Sequence, residues 1–477
     1  MVFTTATFLV FLAAVFCLYW SLQSRKSQNV LLLASGYLFY AWWDYRYCSL
    51  MIISTVVDYI CGMGCARKRG RNFYLIVSLF SNLGMLCIFK YFNFFQDSLV
   101  AACDAIGVTI NPITLQLALP VGISFYTFQT LSYTIDIYRG KLEPHRSLID
   151  YAAYVSFFPQ LVAGPIERAA SLLPQFAVDR KFDPAMARDG LRQMTWGFFK
   201  KLVVADRCAM VVNEIYANPA DFDTRHLWMA AIGFSIQIYC DFSAYSDIAI
   251  GTARLFGFQL TRNFAFPYFS QDFVEFWRRW HITLSTWFRD YVYIPLGGNR
   301  VGPQRQLLNV LIVFAVSGLW HGAGWNFVIW GVIHGLLVII SSRVRVSSLN
   351  QSDVPLGEGI PSLAAMARCA VVCFLSCLAW VFFRISDSSE VWSILSRMLI
   401  SIEHYDVQLA ASGDLNILTK ILPVFMITEF LTRRFMHPLQ AIVNWPKPIR
   451  WFVYATVIWG TMYYMPDETG EFVYFQF

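Results

Sequence analysis

The sequence predicts an all-α, polytopic membrane protein, and its composition and apolar runs are the observations that predict it. Of its 477 residues, 57% are hydrophobic and 14% are charged, whereas soluble domains carry roughly 25% charged residues. Several apolar runs approach or exceed the ~20 residues that cross a bilayer as a helix. No long linker divides the sequence, so we expect one integral membrane domain over residues 1–477.

The apolar runs predict about ten to twelve membrane helices. The first run lacks a basic n-region and a small-residue cleavage site, which predicts a retained helix and not a removable signal peptide. The predicted spans lie near residues 3–20, 29–43, 47–65, 73–95, 113–135, 150–164, 190–216, 228–257, 306–340, 364–383, 417–432 and 450–465.

The charge pattern predicts how the helices are oriented. The net charge of +6 is spread over short basic loops such as "SRKS" and "RKRGR", which is typical of cytoplasmic loops and not of a nucleic-acid interface. This places the N-terminus outside, with helices two and three forming a hairpin whose aromatic tip, "WWDYRY" at 42–47, lies at the outer lipid interface. The 11 cysteines are odd in number and scattered, which speaks against a disulfide framework.

The stretch "SGLWHGAGWNFVIWGVIHG" carries two histidines inside a run without formal charge, residues 307–340. One continuous helix of that length would be about 51 Å long, which exceeds the ~30 Å hydrocarbon core. The glycines between 318 and 324 predict a break, with two part-helices meeting in the membrane and His321 at the wall of a cavity. A single long, kinked and tilted helix is the alternative.

A neutral histidine can accept a proton from a hydroxyl or thiol and return it later. An ionisable side chain at membrane depth is therefore a functional candidate. From the residues alone, His321 fits a catalytic or a structural role equally well. His334 lies between Gly331 and Gly335, and this small-xxx-small spacing favours helix packing.

A second polar cluster lies in residues 275–300, which predict one amphipathic helix with His281 at the boundary of its faces. One interpretation is an interfacial helix with aromatic anchors. The other is that the polar edge, with Ser285, lines a route into the cavity, where Arg278 or Arg279 attracts a phosphorylated or anionic donor. The apolar stripe comprises Trp277, Trp280, Leu284, Trp287 and Tyr291.

Asp241 and Asp247 lie in an otherwise apolar helix. Asp241 and Tyr245 are i, i+4 neighbours and could bond each other or a histidine elsewhere, although structural pairing is the favoured role. The spacing of the histidines and aspartates matches no metal motif, so we expect no metal site. The sequence also lacks a glycine-rich phosphate loop and a G-x-S-x-G elbow.

Several motifs together resemble the membrane-bound O-acyltransferase family, and most closely its bacterial branch that acetylates alginate. The resemblance runs along the whole chain. It is carried by "FFPQLVAGPIERA" (157–169), "DFSAYSDIAIGTARLFGF" (241–258), "FWRRWHITLSTWFRDYVYIPLGGNR" (276–300), "SGLWHGAGWNFVIWGVIHG" (317–335) and "FVYFQF" (472–477).

This resemblance implies a ring of membrane helices, some of them re-entrant, around a central tunnel. It implies that His321 of "WHG" is the residue most closely tied to catalysis and that His281 of "RRWH" is a second tunnel residue. On this basis His321 is expected to act as general base on an acceptor hydroxyl. The other expected tunnel-lining residues are Trp320, Asn326, Arg278, Arg279, Ser285 and Asp241.

The resemblance also implies acetyl-CoA as a cytosolic acyl donor, with no bound cofactor, and an exported polysaccharide as final acceptor. The polymer can be alginate-like, cellulose or peptidoglycan. Since no sizeable polar segment is available to hold a polymer, we expect a periplasmic or membrane-tethered acetyltransferase partner, and a location in the bacterial inner membrane. Two alternatives stay open: a D-alanyl transferase of the teichoic-acid type, and a non-catalytic carrier or flippase of an acylated intermediate.

Overall fold

The protein is helical throughout the part of the chain that the structure describes. In this computed structural model 74% of residues are helical and no described residue lies in a β-strand, which confirms the all-α prediction. The chain divides into two compact units, residues 1–188 with 252–261 and residues 189–251 with 262–477. The single-domain organisation stays a prediction. The described residues are 1–115, 117–344, 359–401, 409–466, 470 and 472–475.

The helices of the first unit begin at polar caps where the sequence supplies them. The Thr5 side chain accepts a hydrogen bond from the Phe8 N–H, and the Ser24 hydroxyl accepts one from the Ser27 N–H, so each satisfies an otherwise orphaned donor of the first turn. The helices are α1 (Ala6–Ser21), α2 (Arg25–Asp44), α3 (Cys48–Cys65), α4 (Arg71–Leu86), α5 (Phe92–Ala105), α6 (Ile123–Tyr138), α7 (Leu148–Val155) and α8 (Ala169–Phe176).

The chain reverses direction at "WWDYRY", as predicted. The Asp44 backbone is extended and a 3-10 turn over Tyr45–Tyr47 separates α2 from α3. Cys48 Sγ lies 4.0 Å from the Tyr37 carbonyl oxygen, whereas about 16 Å would separate these positions along one helix. The predicted hairpin of helices two and three is confirmed.

The second unit contains the longest helix and both histidine motifs. Helices α9 and α11 each have a few residues in the first unit. The elements are α9 (Pro184–Phe199), α10 (Asp206–Ala217), α11 (Thr224–Leu255), α12 (Phe273–Arg279), α13 (Ile282–Phe288), α14 (Pro303–His321), α15 (Trp325–Val344), α16 (Leu363–Arg384), α17 (Ser388–Leu399), α18 (Ser412–Leu431), α19 (Pro438–Ala441) and α20 (Lys447–Tyr464).

Four helical stretches in the described ranges are long and apolar enough to cross a membrane, and α1 is a shorter apolar helix. Large apolar side chains on α4 face outward, among them Phe80, which is 81% exposed. Such faces suit lipid and not water. The count of ten to twelve spans stays a prediction. The four stretches are Arg25–Cys65, Arg71–Ala105, Trp325–Val344 and Leu363–Arg384.

The uncharged run 307–340 is broken where its glycines predict. Helix α14 ends at His321 and α15 begins at Trp325. The two helices pack face to face, because a Cβ on Gly318 would lie 2.1 Å from the Phe327 carbonyl oxygen and one on Gly331 would lie 2.1 Å from that of Phe314. The break is therefore confirmed and the single kinked helix is wrong. The helices have 19 and 20 residues, so they form a full hairpin and not a pair of short part-helices.

The single amphipathic helix predicted over residues 275–300 is wrong. Helix α12 ends at Arg279, α13 begins at Ile282, and a π-helical turn follows from Arg289 to Tyr293. The helical projection failed because it assumed one continuous axis through His281, where φ is +42°. That left-handed backbone ends one helix and starts another.

Candidate active site

His281 occupies the break between α12 and α13 and is tied to Asn263. The Asn263 Oδ1 atom lies 3.0 Å from His281 Nδ1 and accepts hydrogen bonds from the Thr283 N–H and hydroxyl at 3.3 and 2.9 Å. The Asn263 carbonyl accepts from the Ile282 N–H at 2.9 Å. At roughly 1 kcal/mol per bond, these contacts offset the about 1–2 kcal/mol that a left-handed non-glycine residue costs.

His321 is the last residue of α14 and is 3% exposed. The next residue, Gly322, has an extended backbone that ends the helix. Aromatic rings surround the imidazole, with centroid distances of 5.1 Å to Trp330, 5.3 Å to Phe383 and 5.5 Å to Tyr474. The imidazole is therefore packed among aromatic side chains and is shielded from solvent.

The two histidines belong to one aromatic cluster. The Trp320 ring is close to both of them, with its centroid 6.2 Å from that of His281 and 5.0 Å from that of His321. On another side, the Phe242 ring lies 4.6 Å from His281 and 4.6 Å from Tyr474. The structure thus brings together the two histidines that the sequence singled out, within a core that excludes bulk water.

A cavity of about 890 Å³ lies beside this cluster. Arg278 and Ser285, two of the predicted tunnel residues, line it together with Arg289. The histidines are not part of its lining, but Ile282, which follows His281, and Ser317, one turn before His321, both are. The cavity therefore reaches the edge of both histidine turns and carries positive charge at its wall.

Arg279, in contrast, is buried and pairs with Glu275. Its guanidinium lies 2.9 Å from the Glu275 carboxylate, and its carbonyl accepts from the Ala265 N–H. Because α12 ends at Arg279, the adjacent arginines point to different surroundings, and only Arg278 faces the cavity. The structure thus distinguishes two residues that the sequence left equivalent.

Asn326 and Asp241 are buried and engaged in tertiary contacts. The Asn326 amide donates to the Phe382 and Ile385 carbonyls at 3.1 and 3.2 Å, which fastens the start of α15 to the end of α16. Asp241 accepts from Lys201 Nζ at 2.8 Å. These contacts match the structural pairing that the sequence favoured for Asp241.

His334 lies apart from this arrangement, on the middle of α15. Both of its ring nitrogens are buried and have no hydrogen-bond partner among the described residues. Its neighbours are rings, with centroids 4.8 Å away in Trp330 and 5.2 Å away in Trp277. The contacts are those of a packed side chain.

Sequence reasoning missed three groups that complete the site. Asn263 gave no signal, because its role depends on folding onto His281. Tyr474 appeared only within the terminal motif, whose residues 476 and 477 lie outside the described residues. Lys201 had a visible signal, a lysine pair inside an apolar run. It bridges Asp241 and Asp206, both at 2.8 Å, and Asp241 in turn accepts from the Val473 N–H at 2.7 Å.

Comparison with known proteins places the chain in a family. Residues 141–352 match the family described as MBOAT, membrane-bound O-acyltransferase family. The chain is 36% identical to the probable alginate O-acetylase AlgI of Azotobacter vinelandii over 453 residues, 94% of this chain and 88% of that protein. It is 39% identical to the protein of the same name from Pseudomonas syringae pv. tomato, over 83% of this chain and 74% of that protein.

A relative with a different acceptor in its name is also similar. The peptidoglycan O-acetyltransferase of Helicobacter pylori is 32% identical over 84% of this chain and 80% of that protein. The likeness to these relatives spans nearly the whole chain and includes both histidine turns. The chain belongs to the membrane-bound O-acyltransferase family, and it is a multi-pass membrane enzyme that transfers acyl groups to oxygen.

Proposed function

We propose that this enzyme passes an acetyl group from cytosolic acetyl-CoA across the bacterial inner membrane for O-acetylation of an exported polysaccharide, with His321 as general base. The observation that carries the proposal is the position of His321. It ends a helix inside an aromatic core, in one cluster with His281 and next to a cavity. That combination supplies a base, a dry environment and room for a substrate.

The proposed step moves one proton and one acyl group. A ring nitrogen of His321 takes the proton of the acceptor hydroxyl as its oxygen attacks the thioester carbonyl carbon. The new C–O bond forms, the C–S bond breaks, and the departing thiolate takes the proton back from the imidazolium. His281 positions the donor or stabilises the charge that develops. The surrounding rings exclude water and so limit wasteful hydrolysis.

The cavity beside the histidines suits the acyl donor. Its volume of about 890 Å³ lies within the roughly 300–1,000 Å³ of small-molecule sites. Arg278 places positive charge at its wall, where it can pair with a phosphate of coenzyme A. Arg289 also lines the wall, but its guanidinium pairs with Asp290 at 2.7 Å. Apolar residues of α14, among them Val310, Val313 and Phe314, line the cavity and can contact the acyl group of a thioester.

The acceptor and the partner follow from the relatives and the chain together. The relatives are named for alginate and peptidoglycan, so the acceptor class is an envelope or exported polysaccharide, with an alginate-like polymer as the best-supported choice. The proposal includes a separate periplasmic or membrane-tethered acetyltransferase that completes transfer to the polymer. The orientation of basic loops supports an N-terminus on the outer side.

The test compares His321→Gln with the matched variant His334→Gln. Both histidines are buried on the α14–α15 hairpin. We expect His321→Gln to lower acetyl transfer to the polymer by about 10²–10⁴-fold at equal protein level, since general base catalysis contributes that much. His334→Gln should lose far less activity per folded molecule.

Mass analysis of the polymer separates the alternatives. Acetyl transfer that persists at the wild-type rate in His321→Gln would contradict the catalytic role and favour a carrier or flippase. Loss of D-alanine esters from the envelope of a deletion strain, with unchanged acetylation, would instead identify a D-alanyl transferase.

A further inference from the structure

The hydrogen bonds around Asn263 determine which nitrogen of His281 carries the proton. The Thr283 backbone N–H can only donate, and it points to the same Asn263 side-chain atom that lies 3.0 Å from His281 Nδ1. That atom is therefore the amide oxygen. The amide nitrogen donates to the Ser246 hydroxyl at 3.1 Å, which agrees with this orientation.

An amide oxygen can only accept, so His281 Nδ1 must carry the hydrogen. A neutral imidazole has one N–H, which leaves Nε2 with a bare lone pair. Nε2 is buried and has no hydrogen-bond partner among the described residues. The ring also packs against Phe242 and Phe264, an apolar setting that disfavours the charged form.

Among the described residues, the charged groups on the neighbouring elements do not supply a counter-charge to His281. On α11, Asp247 pairs with Lys200 at 2.7 Å, and Asp241 pairs with Lys201. Arg262, next to Asn263, is a cation and opposes a second positive charge. The element that carries Trp320, α14, contributes only aromatic and uncharged side chains at this point.

We propose that Asn263 is a positioning residue that holds His281 as the Nδ1–H tautomer, so that Nε2 acts as a hydrogen-bond acceptor that orients a substrate hydroxyl or thiol, while His321 takes the proton. This rests on the proposed function and sharpens it. A bare Nε2 cannot donate to a developing oxyanion, so of the two roles offered for His281 the structure supports positioning and not charge stabilisation. Asn263 acts through His281 and does not itself touch the reacting atoms.

The first measurement is the tautomer of His281 in the wild-type protein. ¹⁵N NMR of histidine-labelled protein, compared with the spectrum of His281→Gln, should assign a protonated Nδ1 and an unprotonated Nε2 to His281. A protonated Nε2 would overturn the proposal, and this measurement does not depend on an Asn263 variant folding.

The second measurement is the pH–rate profile of two Asn263 variants. Asn263→Leu removes the acceptor, and we expect kcat to fall about 10–100-fold, the size of loss that follows removal of a residue that orients a metal-bound histidine. Asn263→Asp keeps an acceptor and should recover most of that loss. Its carboxylate also stabilises the imidazolium and raises the pKa of His281, so the acid limb of the profile should move to higher pH.

The matched control is Asn309→Leu, another buried asparagine of this unit whose amide donates to the Leu296 and Gly298 carbonyls. It should change folded yield without moving the pH profile. If Asn263→Leu keeps the wild-type rate and profile while His321→Gln is inactive, only this inference fails. If His321→Gln is fully active, the proposed function fails first.

Discussion

Two helix breaks carry the candidate histidines, and they are built in different ways. At His321 the break is local, because glycines let α14 and α15 approach within contact of each other's backbone. At His281 the break depends on a residue outside the two helices, because Asn263 forms hydrogen bonds with the turn between α12 and α13. A break caused by glycines can be predicted from the sequence. A turn held by hydrogen bonds to a distant residue can be recognised only in the folded structure.

The largest expected effect comes from filling the glycine break. Gly318→Ala places a Cβ 2.1 Å from the Phe327 carbonyl oxygen, which is far inside van der Waals contact, and the two helix backbones must move apart to relieve the clash. We expect a loss of about 3 kcal/mol or more in the free energy of unfolding. Thermal unfolding in detergent and folded yield measure it.

The control for Gly318 is Gly460→Ala on α20, where nothing lies within 4 Å of the added carbon. This variant should be neutral or stabilising by up to about 1 kcal/mol. Equal changes in the free energy of unfolding of the two variants would mean that close packing of α14 against α15 does not stabilise the break at His321.

A smaller change in stability is expected at His281, in the turn between α12 and α13. His281→Gly and His281→Ala both remove the imidazole, and we expect both to lose acyl transfer to the same extent. The glycine variant should nevertheless be more stable by about 1 kcal/mol, because it adopts positive φ without the Cβ penalty. Paired unfolding curves of the two variants measure this difference.

The reverse order is expected at His226, which lies in the first turn of α11. There alanine should be favoured over glycine by about 1 kcal/mol. An alanine preference at His281 as well would show that its left-handed backbone carries no strain.

The smallest expected effect is a change in KM, which tests whether the cavity next to both helix breaks binds the acyl donor. Arg278→Gln should raise KM for acetyl-CoA about fivefold, corresponding to ~1 kcal/mol for an exposed charge pair. The effect should shrink at high salt. Arg305→Gln removes an exposed arginine that does not line the cavity, and a KM change of the same size there would contradict the assignment.

Much of the fold was predictable because its signals are local. Apolar runs predicted helices, the basic loops on either side of helices two and three predicted the α2–α3 reversal, and the glycines predicted the α14–α15 turn. The α12–α13 break was not predictable, since the letters of 275–300 give a good helical projection. Its cause, Asn263, lies outside that window.

The candidate site was predictable only in part, for the same reason. His281 and His321 stood out as ionisable residues in apolar or amphipathic stretches, and the sequence resemblance added weight. Which of Arg278 and Arg279 meets the cavity depends on where α12 ends. The link from Lys201 through Asp241 to Val473 joins positions far apart in sequence, and no local pattern encodes it.

The contacts of residues 472–474 bear on when the enzyme becomes competent. Tyr474 lies against His321, and the Val473 N–H binds Asp241 across 232 positions of chain. The ribosome synthesises the histidines long before these residues. A nascent chain that already contains His281 and His321 therefore still lacks part of the site. We expect acyl transfer to begin only once residues 472–474 have been synthesised and have docked.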